Sequence, residues 1–164
     1  MASNSQGGFE ASVESVLREV RKYGVKSVCV TGGEPMLQLE ELKKLVGMLK
    51  ESGFEVVLET NGTLYDKEVF DSVDCVSVDM KPPSSGEKSD ERLLRKLSRK
   101  DQVKVIVAGK PDYEFAKHIA SETDVELILQ PTEAANAKKL VSRVLKDRLN
   151  VRVIPQLHKI IGLK

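Results

Sequence analysis

Apolar residues recur along the chain in two spacings that alternate from one end to the other. In one kind of segment they stand three or four positions apart, as at Val13, Val16 and Val20, and this spacing predicts an amphipathic helix over residues 9–23. In the other kind, short segments of four to seven residues are rich in apolar, mostly β-branched residues, which predicts a buried strand. The predicted strands cover residues 27–31, 55–60, 75–80, 102–108, 125–130 and 151–154, and further helices are predicted around residues 39–49, 66–70, 93–97, 115–119 and 140–145.

This alternation of strands and helices predicts the fold class. Strands that are apolar along their whole length are buried on both faces, and the helices supply the covering layers. We therefore predict an α/β fold with a mainly parallel sheet. No sequence repeat and no low-complexity linker divides the chain, so we expect one domain over residues 9–164, preceded by a short polar segment at 1–8.

Composition excludes several classes of protein. The chain has 26 basic and 25 acidic residues, a net charge of +1, and only 4% aromatic residues, so neither a nucleic-acid surface nor an anionic membrane is an expected partner. No apolar run reaches the roughly 20 residues that span a bilayer. Cys29 and Cys75 match neither a disulfide framework nor a zinc spacing. We expect both thiols to be small buried hydrophobes in a protein of the reducing cytoplasm.

Polar and glycine-containing clusters follow the predicted strands. In parallel α/β folds ligands bind at the carboxyl ends of strands, so these clusters predict one ligand cleft. Glu59 and Asp79 stand within or at the ends of otherwise apolar strands, where each carboxylate needs a partner. The clusters lie at residues 31–35, 59–63, 79–86, 130–133 and 155–158.

The sharpest motif is Thr31-Gly-Gly-Glu-Pro35. Two glycines after a strand let a ligand approach the backbone closely, and the carboxylate that follows suits an ammonium group. The motif lacks the lysine and hydroxyl of a P-loop and the spacing of a dinucleotide fingerprint. The alternative interpretation is a tight turn with a surface glutamate.

Four later segments narrow the interpretation. In order, they read Leu-Glu-Thr-Asn-Gly-Thr at 58–63, Val-Ser-Val-Asp-Met-Lys at 76–81, Leu-Ile-Leu-Gln-Pro at 127–131, and Val-Ile-Pro-Gln-Leu-His-Lys-Ile-Ile-Gly at 153–162. Together with the loop at 31–35 they resemble the 7-carboxy-7-deazaguanine synthase family of the radical S-adenosylmethionine superfamily. The resemblance implies a partial (β/α)6-type radical SAM barrel that lacks its first strand.

The same resemblance implies an activity and its cofactors. The family contracts the ring of 6-carboxy-tetrahydropterin to 7-carboxy-7-deazaguanine, a lyase step toward queuosine and archaeosine in transfer RNA, and uses S-adenosylmethionine, a [4Fe–4S] cluster and Mg²⁺. No catalytic residue is assigned. The implied S-adenosylmethionine contacts are Gly32, Gly33, Glu34, Asn61, Asp79, Lys81 and Gln130, and the implied pterin contacts are Thr31, Glu59, His158 and Lys164.

Two of these residues keep a structural alternative. Asn61 precedes Gly62, and Asn-Gly is also a common tight-turn dipeptide, so Asn61 serves either a turn or a ligand. His158 either contacts the substrate or makes a structural hydrogen bond. We expect the other histidine, His118, to lie on a solvated helix face.

The cysteine triplet that holds the cluster in the superfamily is absent from this sequence. We therefore expect residues 1–8 to be the remnant of the cluster loop, the chain to be a fragment, and the polypeptide as given to be inactive, with no metal ligands of its own. Loss of the first strand would expose a sheet edge, which predicts a homodimer. A full-length protein would also need a redox partner.

Two other functions stay open at the level of sequence. One is a noncatalytic remnant that binds S-adenosylmethionine or the pterin without turnover. The other is a related radical enzyme such as a glycyl-radical activase. The Pro-Gln-Leu-His segment near the end favours the deazaguanine family, because an activase needs no small-substrate pocket closed by its own terminus.

Overall fold

The computed structural model describes residues 9–162, except for the side chain of His158. Six α-helices and six strands alternate along this part of the chain, except that only 3₁₀ helices stand between the third and fourth strands. The helices are α1 (Val13–Lys22), α2 (Leu39–Glu51), α3 (Lys67–Ser72), α4 (Lys110–Glu122), α5 (Ala137–Asp147) and α6 (Leu157–Ile160). The strands are β1 (Ser27–Val30), β2 (Glu55–Thr60), β3 (Cys75–Met80), β4 (Gln102–Val107), β5 (Glu126–Pro131) and β6 (Arg152–Val153).

The strands form a six-stranded sheet in the order β1-β2-β3-β4-β5-β6. The pairs β1–β2, β4–β5 and β5–β6 are parallel, and the predicted α/β class with a mainly parallel sheet is confirmed. The chain divides into two compact units, Met1–Ser77 and Val78–Lys164, with the boundary inside β3. No helix within residues 9–162 is long and apolar enough to cross a membrane.

The first unit is built on β1 and β2 and their helices. Ser12 caps α1 by accepting a hydrogen bond from the Ser15 N–H at 3.2 Å, and α1 packs against α2. Parallel pairing places Val30 opposite Leu58, so the two strands end side by side. The largest fully buried side chains of this unit are Val46, Leu49, Val56, Leu58, Val69, Val73 and Val76.

The second unit is built on β4, β5 and β6. Parallel pairing places Val107 opposite Pro131, the last residues of β4 and β5. Proline is tolerated there because it stands at the end of the strand. Helices α4 and α5 begin shortly after these two strands. The core side chains of this unit include Val78, Met80, Val103, Val105, Ala116, Ile119 and Leu129.

The structure corrects three expectations. The segment predicted as a helix around 93–97 is a 3₁₀ helix, Glu91–Lys96, and α6 was not predicted. Cys29 is exposed and Cys75 half-buried, so the prediction that both thiols are buried is wrong. For Cys29 the cause is the position of β1, which begins the sheet order and alternates exposed and half-buried residues instead of burying both faces.

Candidate functional site

The loop at residues 31–35 follows β1 and presents open backbone. Gly32 has a φ of 142°, a conformation that favours glycine. A Cβ built on Gly32 or on Gly33 would meet no atom within 4 Å, so space is left beside both residues. Both glycines are exposed. The loop therefore has open space beside its backbone, and ligand binding there stays a prediction.

Glu34 follows the glycines and is buried, with 8% of its surface exposed. Its Oε1 accepts hydrogen bonds from the Met36 N–H at 3.1 Å and the Thr60 hydroxyl at 2.8 Å. Its Oε2 accepts a hydrogen bond from the Asn61 N–H at 2.7 Å. We call these four residues the Glu34 network. The carboxylate caps the 3₁₀ helix Pro35–Gln38 and ties the loop after β1 to the end of β2.

This network bears on two sequence interpretations. The alternative of a surface glutamate in a tight turn is wrong, since Glu34 is buried. The oxygen of Asn61 closes a turn, because Oδ1 accepts from the Thr63 N–H at 2.9 Å and from the Thr63 hydroxyl at 2.7 Å. Gly62 sits in this turn with a φ of 72°.

Thr31 and Glu59 meet at the same end of the two strands. Val30 pairs with Leu58, so the residues that follow stand side by side. The Thr31 hydroxyl donates to Glu59 Oε2 at 3.3 Å. Thr31 is exposed and Glu59 is half-buried, so both side chains reach solvent on this unit.

The second unit has its own polar cluster, after β3. The Lys81 ammonium donates to the Asp79 carboxylate at 2.7 Å, and both side chains are about 30% exposed. The Lys81 N–H donates to the Ser89 hydroxyl at 2.6 Å, which closes the loop that follows. The prediction that the carboxylates of Glu59 and Asp79 need partners is confirmed.

Asp112 in the first turn of α4 also holds this loop. It is 1% exposed and accepts hydrogen bonds from the N–H groups of Ser84 (3.0 Å), Ala108 (2.8 Å) and Gly109 (3.2 Å). Burial alone would raise the pKa of Asp112, but these hydrogen bonds outweigh it, and the pKa lies below its usual value.

The neighbouring Tyr113 is buried as well. Burial raises its pKa to about 12, and the hydrogen bond from its hydroxyl to Asp147, at 3.1 Å, adds to the shift. The Lys117 ammonium lies 3.3 Å from Asp147 and, with the Tyr113 hydroxyl, lowers the pKa of that carboxyl. Tyr113 and Asp147 thus join α4 to α5.

The remaining predicted contacts fall near the ends of β5 and β6. Gln130 is half-buried on β5, opposite Ile106. Lys164 and the side chain of His158 lie outside the described residues, and the backbone of His158 belongs to α6. The predicted convergence of all five clusters on one cleft stays a prediction.

Sequence reasoning missed three polar residues that the structure brings out. Thr60 and Asp112 are buried hydrogen-bonding residues at strand and helix ends. Gln156 carries a buried side-chain oxygen, Oε1, which has no hydrogen-bond partner among the described residues. A buried acceptor of this kind calls for a donor from water or a ligand. The Glu-Thr-Asn-Gly segment was a usable signal for Thr60, and the polar cluster at residues 155–158 was one for Gln156; no pattern in the sequence marks Asp112.

Comparison with known proteins identifies the family. The sequence model of the Radical SAM superfamily matches residues 3–109. The 7-carboxy-7-deazaguanine synthase of Methanospirillum hungatei JF-1 is 34% identical over 98% of this chain and 69% of the relative. The chain belongs to the 7-carboxy-7-deazaguanine synthase family of the radical SAM superfamily.

Solved structures agree with this fold. Streptococcus suis SuiB bound to S-adenosylmethionine matches with a TM-score of 0.69 and 12% identity, over 93% of this chain and 45% of that chain. QueE from Escherichia coli matches with a TM-score of 0.63 and 21% identity, over 89% of this chain and 64% of that chain. At these identities the likeness shows the fold.

The family uses S-adenosylmethionine and a [4Fe–4S] cluster, and the residues present fit only the first. No atom lies within 4 Å of a Cβ built on Gly32 or Gly33, so the backbone there is open to the methionyl end of S-adenosylmethionine. A [4Fe–4S] cluster is held by cysteine thiolates, but the sequence has only Cys29 and Cys75, on different strands. Within residues 9–162 no group of three metal-ligating side chains occurs.

Proposed function

We propose that this chain is the S-adenosylmethionine- and substrate-holding part of a 7-carboxy-7-deazaguanine synthase. The reaction is the ring contraction of 6-carboxy-tetrahydropterin to 7-carboxy-7-deazaguanine with loss of ammonia, in the formation of queuosine or archaeosine. Family membership supports the reaction class. The observation that carries the binding role is the loop at residues 31–35, which is fixed by the Glu34 network and has open backbone beside it.

In this proposal the peptide groups of Gly32 and Gly33 bind the methionyl end of S-adenosylmethionine. Glu34 holds that loop in place, since its carboxylate already accepts three hydrogen bonds from the protein. S-adenosylmethionine bound there would supply, if reduced by a cluster, the radical that abstracts hydrogen from the substrate. Asn61, Asp79, Lys81 and Gln130 are the further contacts that the resemblance implies.

The pterin is assigned to the neighbouring polar residues. Glu59 offers carboxylate oxygens to the paired N–H donors on the edge of the pterin. Thr31 orients that carboxylate through its hydroxyl. Gln156 Oε1, which has no hydrogen-bond partner among the described residues, is an acceptor for a ligand donor in the second unit. His158 and Lys164 are the further substrate contacts that the resemblance implies.

The two cysteines of this chain do not fit a cluster, so turnover requires cluster ligands that these 164 residues do not supply. The polypeptide as given binds its small molecules without converting them. The second candidate function is a noncatalytic remnant, whose only role is to bind S-adenosylmethionine or the pterin and which takes no part in a synthase reaction. It is favoured by the combination of two observations. The loop at residues 31–35 has open backbone, and the two cysteines of the chain are too few to hold a [4Fe–4S] cluster.

The first experiment titrates the chain with S-adenosylmethionine by calorimetry. Gly33→Leu should weaken binding at least tenfold, because the new side chain occupies the space beside the loop. The matched control is Gly47→Leu on α2, another glycine with no atom within 4 Å of a built Cβ. Absence of binding to the parent chain, or equal affinity in the two variants, would contradict the proposal.

The second experiment separates an enzyme from a binding protein. After anaerobic incubation with iron, sulfide and a reductant, we expect no cluster on the chain. We also expect no 7-carboxy-7-deazaguanine by mass spectrometry when S-adenosylmethionine and the pterin are added. Bound iron and sulfide together with the product would show that the chain is active as given.

A further inference from the structure

A cavity of about 120 Å³ lies in the second unit, at the carboxyl ends of β4 and β5. Its floor is apolar and buried, made by Val107, Pro131 and Leu140. The first two are paired residues of the sheet, so the floor is fixed by strand register. The other lining residues are Ala108, Gly109, Lys110, Asn136, Lys139 and Arg143.

The charges of this cavity have one sign. Lys110, Lys139 and Arg143 line it, and no acidic residue does. None of the three forms an ion pair with any residue in the described range. Arg143 is held on one side by the ring of Tyr113, with its guanidinium carbon 5.9 Å from the ring centroid. Three cations of like charge around one small cavity are mutually repulsive without an anion between them.

The acidic residue nearest in sequence to Lys110 is Asp112, and it forms no ion pair with any of the three cations within the described range. Asp112 is buried and accepts the N–H groups of Ser84, Ala108 and Gly109. The N–H groups of Ala108 and Gly109, the two residues that precede α4, are consequently engaged. The side chains of Lys110, Lys139 and Arg143, together with Asn136, are the groups that can bind a ligand.

The volume of the cavity and the charge of its lining indicate which kind of ligand it can bind. The volume of about 120 Å³ is well below the roughly 300–1,000 Å³ of pockets that hold drug-sized molecules, so the cavity has room for one small group. Arginine binds phosphate oxygens through two parallel N–H bonds, and lysine binds them as a point charge. The geometry points to a binding site for a phosphate group, either the free ion or the end of a small phosphomonoester. Neither S-adenosylmethionine nor the pterin carries a phosphate, so this ligand is a third molecule.

The test follows backbone amide signals of the ¹⁵N-labelled chain during titration with orthophosphate and, separately, with ribose 5-phosphate, at constant ionic strength. The variant is Lys139→Ala, and the matched control is Lys138→Ala, the preceding lysine of the same helix, which does not line the cavity. Both lysines are exposed, so neither substitution threatens folding.

We expect saturable shifts of the Gly109 and Asn136 amides, an apparent Kd at least fivefold weaker in Lys139→Ala, and an unchanged Kd in Lys138→Ala. Saturation by orthophosphate assigns the free ion to the site, and saturation by ribose 5-phosphate alone assigns a phosphomonoester. Failure of both ligands to saturate these amides, or equal weakening by the two substitutions, would overturn the proposal.

Discussion

Two regions of the molecule differ in whether their charged side chains have partners. One comprises the loops after β1 and β2 in the first unit, and the other comprises the loops after β4 and β5 in the second. In the first, the Glu34 carboxylate is buried and accepts three hydrogen bonds from its own chain. In the second, three cations line a cavity and form no ion pair within the described residues. Both regions lie at the carboxyl ends of parallel strands, where ligands bind in α/β folds.

The difference separates charged side chains that stabilise a loop conformation from charged side chains that are available to bind a ligand. A buried charge whose hydrogen bonds are satisfied stabilises the structure around it, and its removal leaves its donors unpaired. An exposed charge without a partner contributes little to folding, and the fold can retain it for binding at small cost. The two kinds of region should therefore respond differently to removal of their charges.

The largest effect is expected at Glu34. Glu34→Ala leaves the Met36 and Asn61 N–H groups and the Thr60 hydroxyl without their acceptor. We expect the free energy of unfolding to fall by about 3 kcal/mol, since each buried unsatisfied group costs roughly 1–3 kcal/mol. Urea unfolding of the variant and the parent chain measures this loss.

The control for Glu34 is Glu40→Ala in the first turn of α2, where the side chain is exposed. Loss of its favourable interaction with the helix dipole should cost less than about 1 kcal/mol. Equal losses at Glu34 and Glu40 would remove the distinction between a carboxylate that fixes the loop and a surface charge.

Most of the fold could be predicted from the sequence, because strand burial and helix spacing leave a strong pattern. The strands at 55–60 and 75–80 have the predicted bounds. The 3₁₀ helix Glu91–Lys96 was harder to distinguish from an α-helix, since its two buried leucines, Leu93 and Leu94, fit an α-helical pattern as well. The exposure of Cys29 depends on which strand begins the sheet, and the local pattern does not carry that order.

The candidate site was predictable only in part. Glycine and turn signals marked the loops at residues 31–35 and 61–63, because backbone conformation dictates those residue types. The engagement of Glu34 by Thr60 was not predictable, since it joins residues 26 positions apart. The cavity lined by Lys139 and Arg143 was also missed, because basic residues in a helix are typical of a solvated face.

The second effect is expected at Asp112, in the unit that carries the cations. Its pKa is lower in the folded chain than the usual value near 3.9, so its stabilisation is present above that pH and is lost as the pH falls through the folded pKa. Asp112→Asn places an amide group among three N–H donors and should cost about 2 kcal/mol at neutral pH.

Urea unfolding at pH 7 and at several points below about pH 4 measures this effect. The variant should lose less stability on acidification than the parent chain, because it has no carboxyl to protonate at this position. Parallel curves for the two proteins would show that Asp112 does not contribute to the acid response of the second unit.

The smallest effect is expected at the cavity itself. Lys139→Ala removes one of three unpaired like charges, so the free energy of unfolding should change by less than about 0.5 kcal/mol in the absence of phosphate. If the change is an increase, salt should reduce it, since screening weakens the repulsion that the substitution relieves. Urea unfolding at low and high ionic strength measures both quantities. A loss of unfolding free energy comparable with that of Glu34→Ala would mean that Lys139 has a structural partner. Lys139 would then belong with the charges that stabilise the fold, and the contrast between the two regions would not hold at this residue.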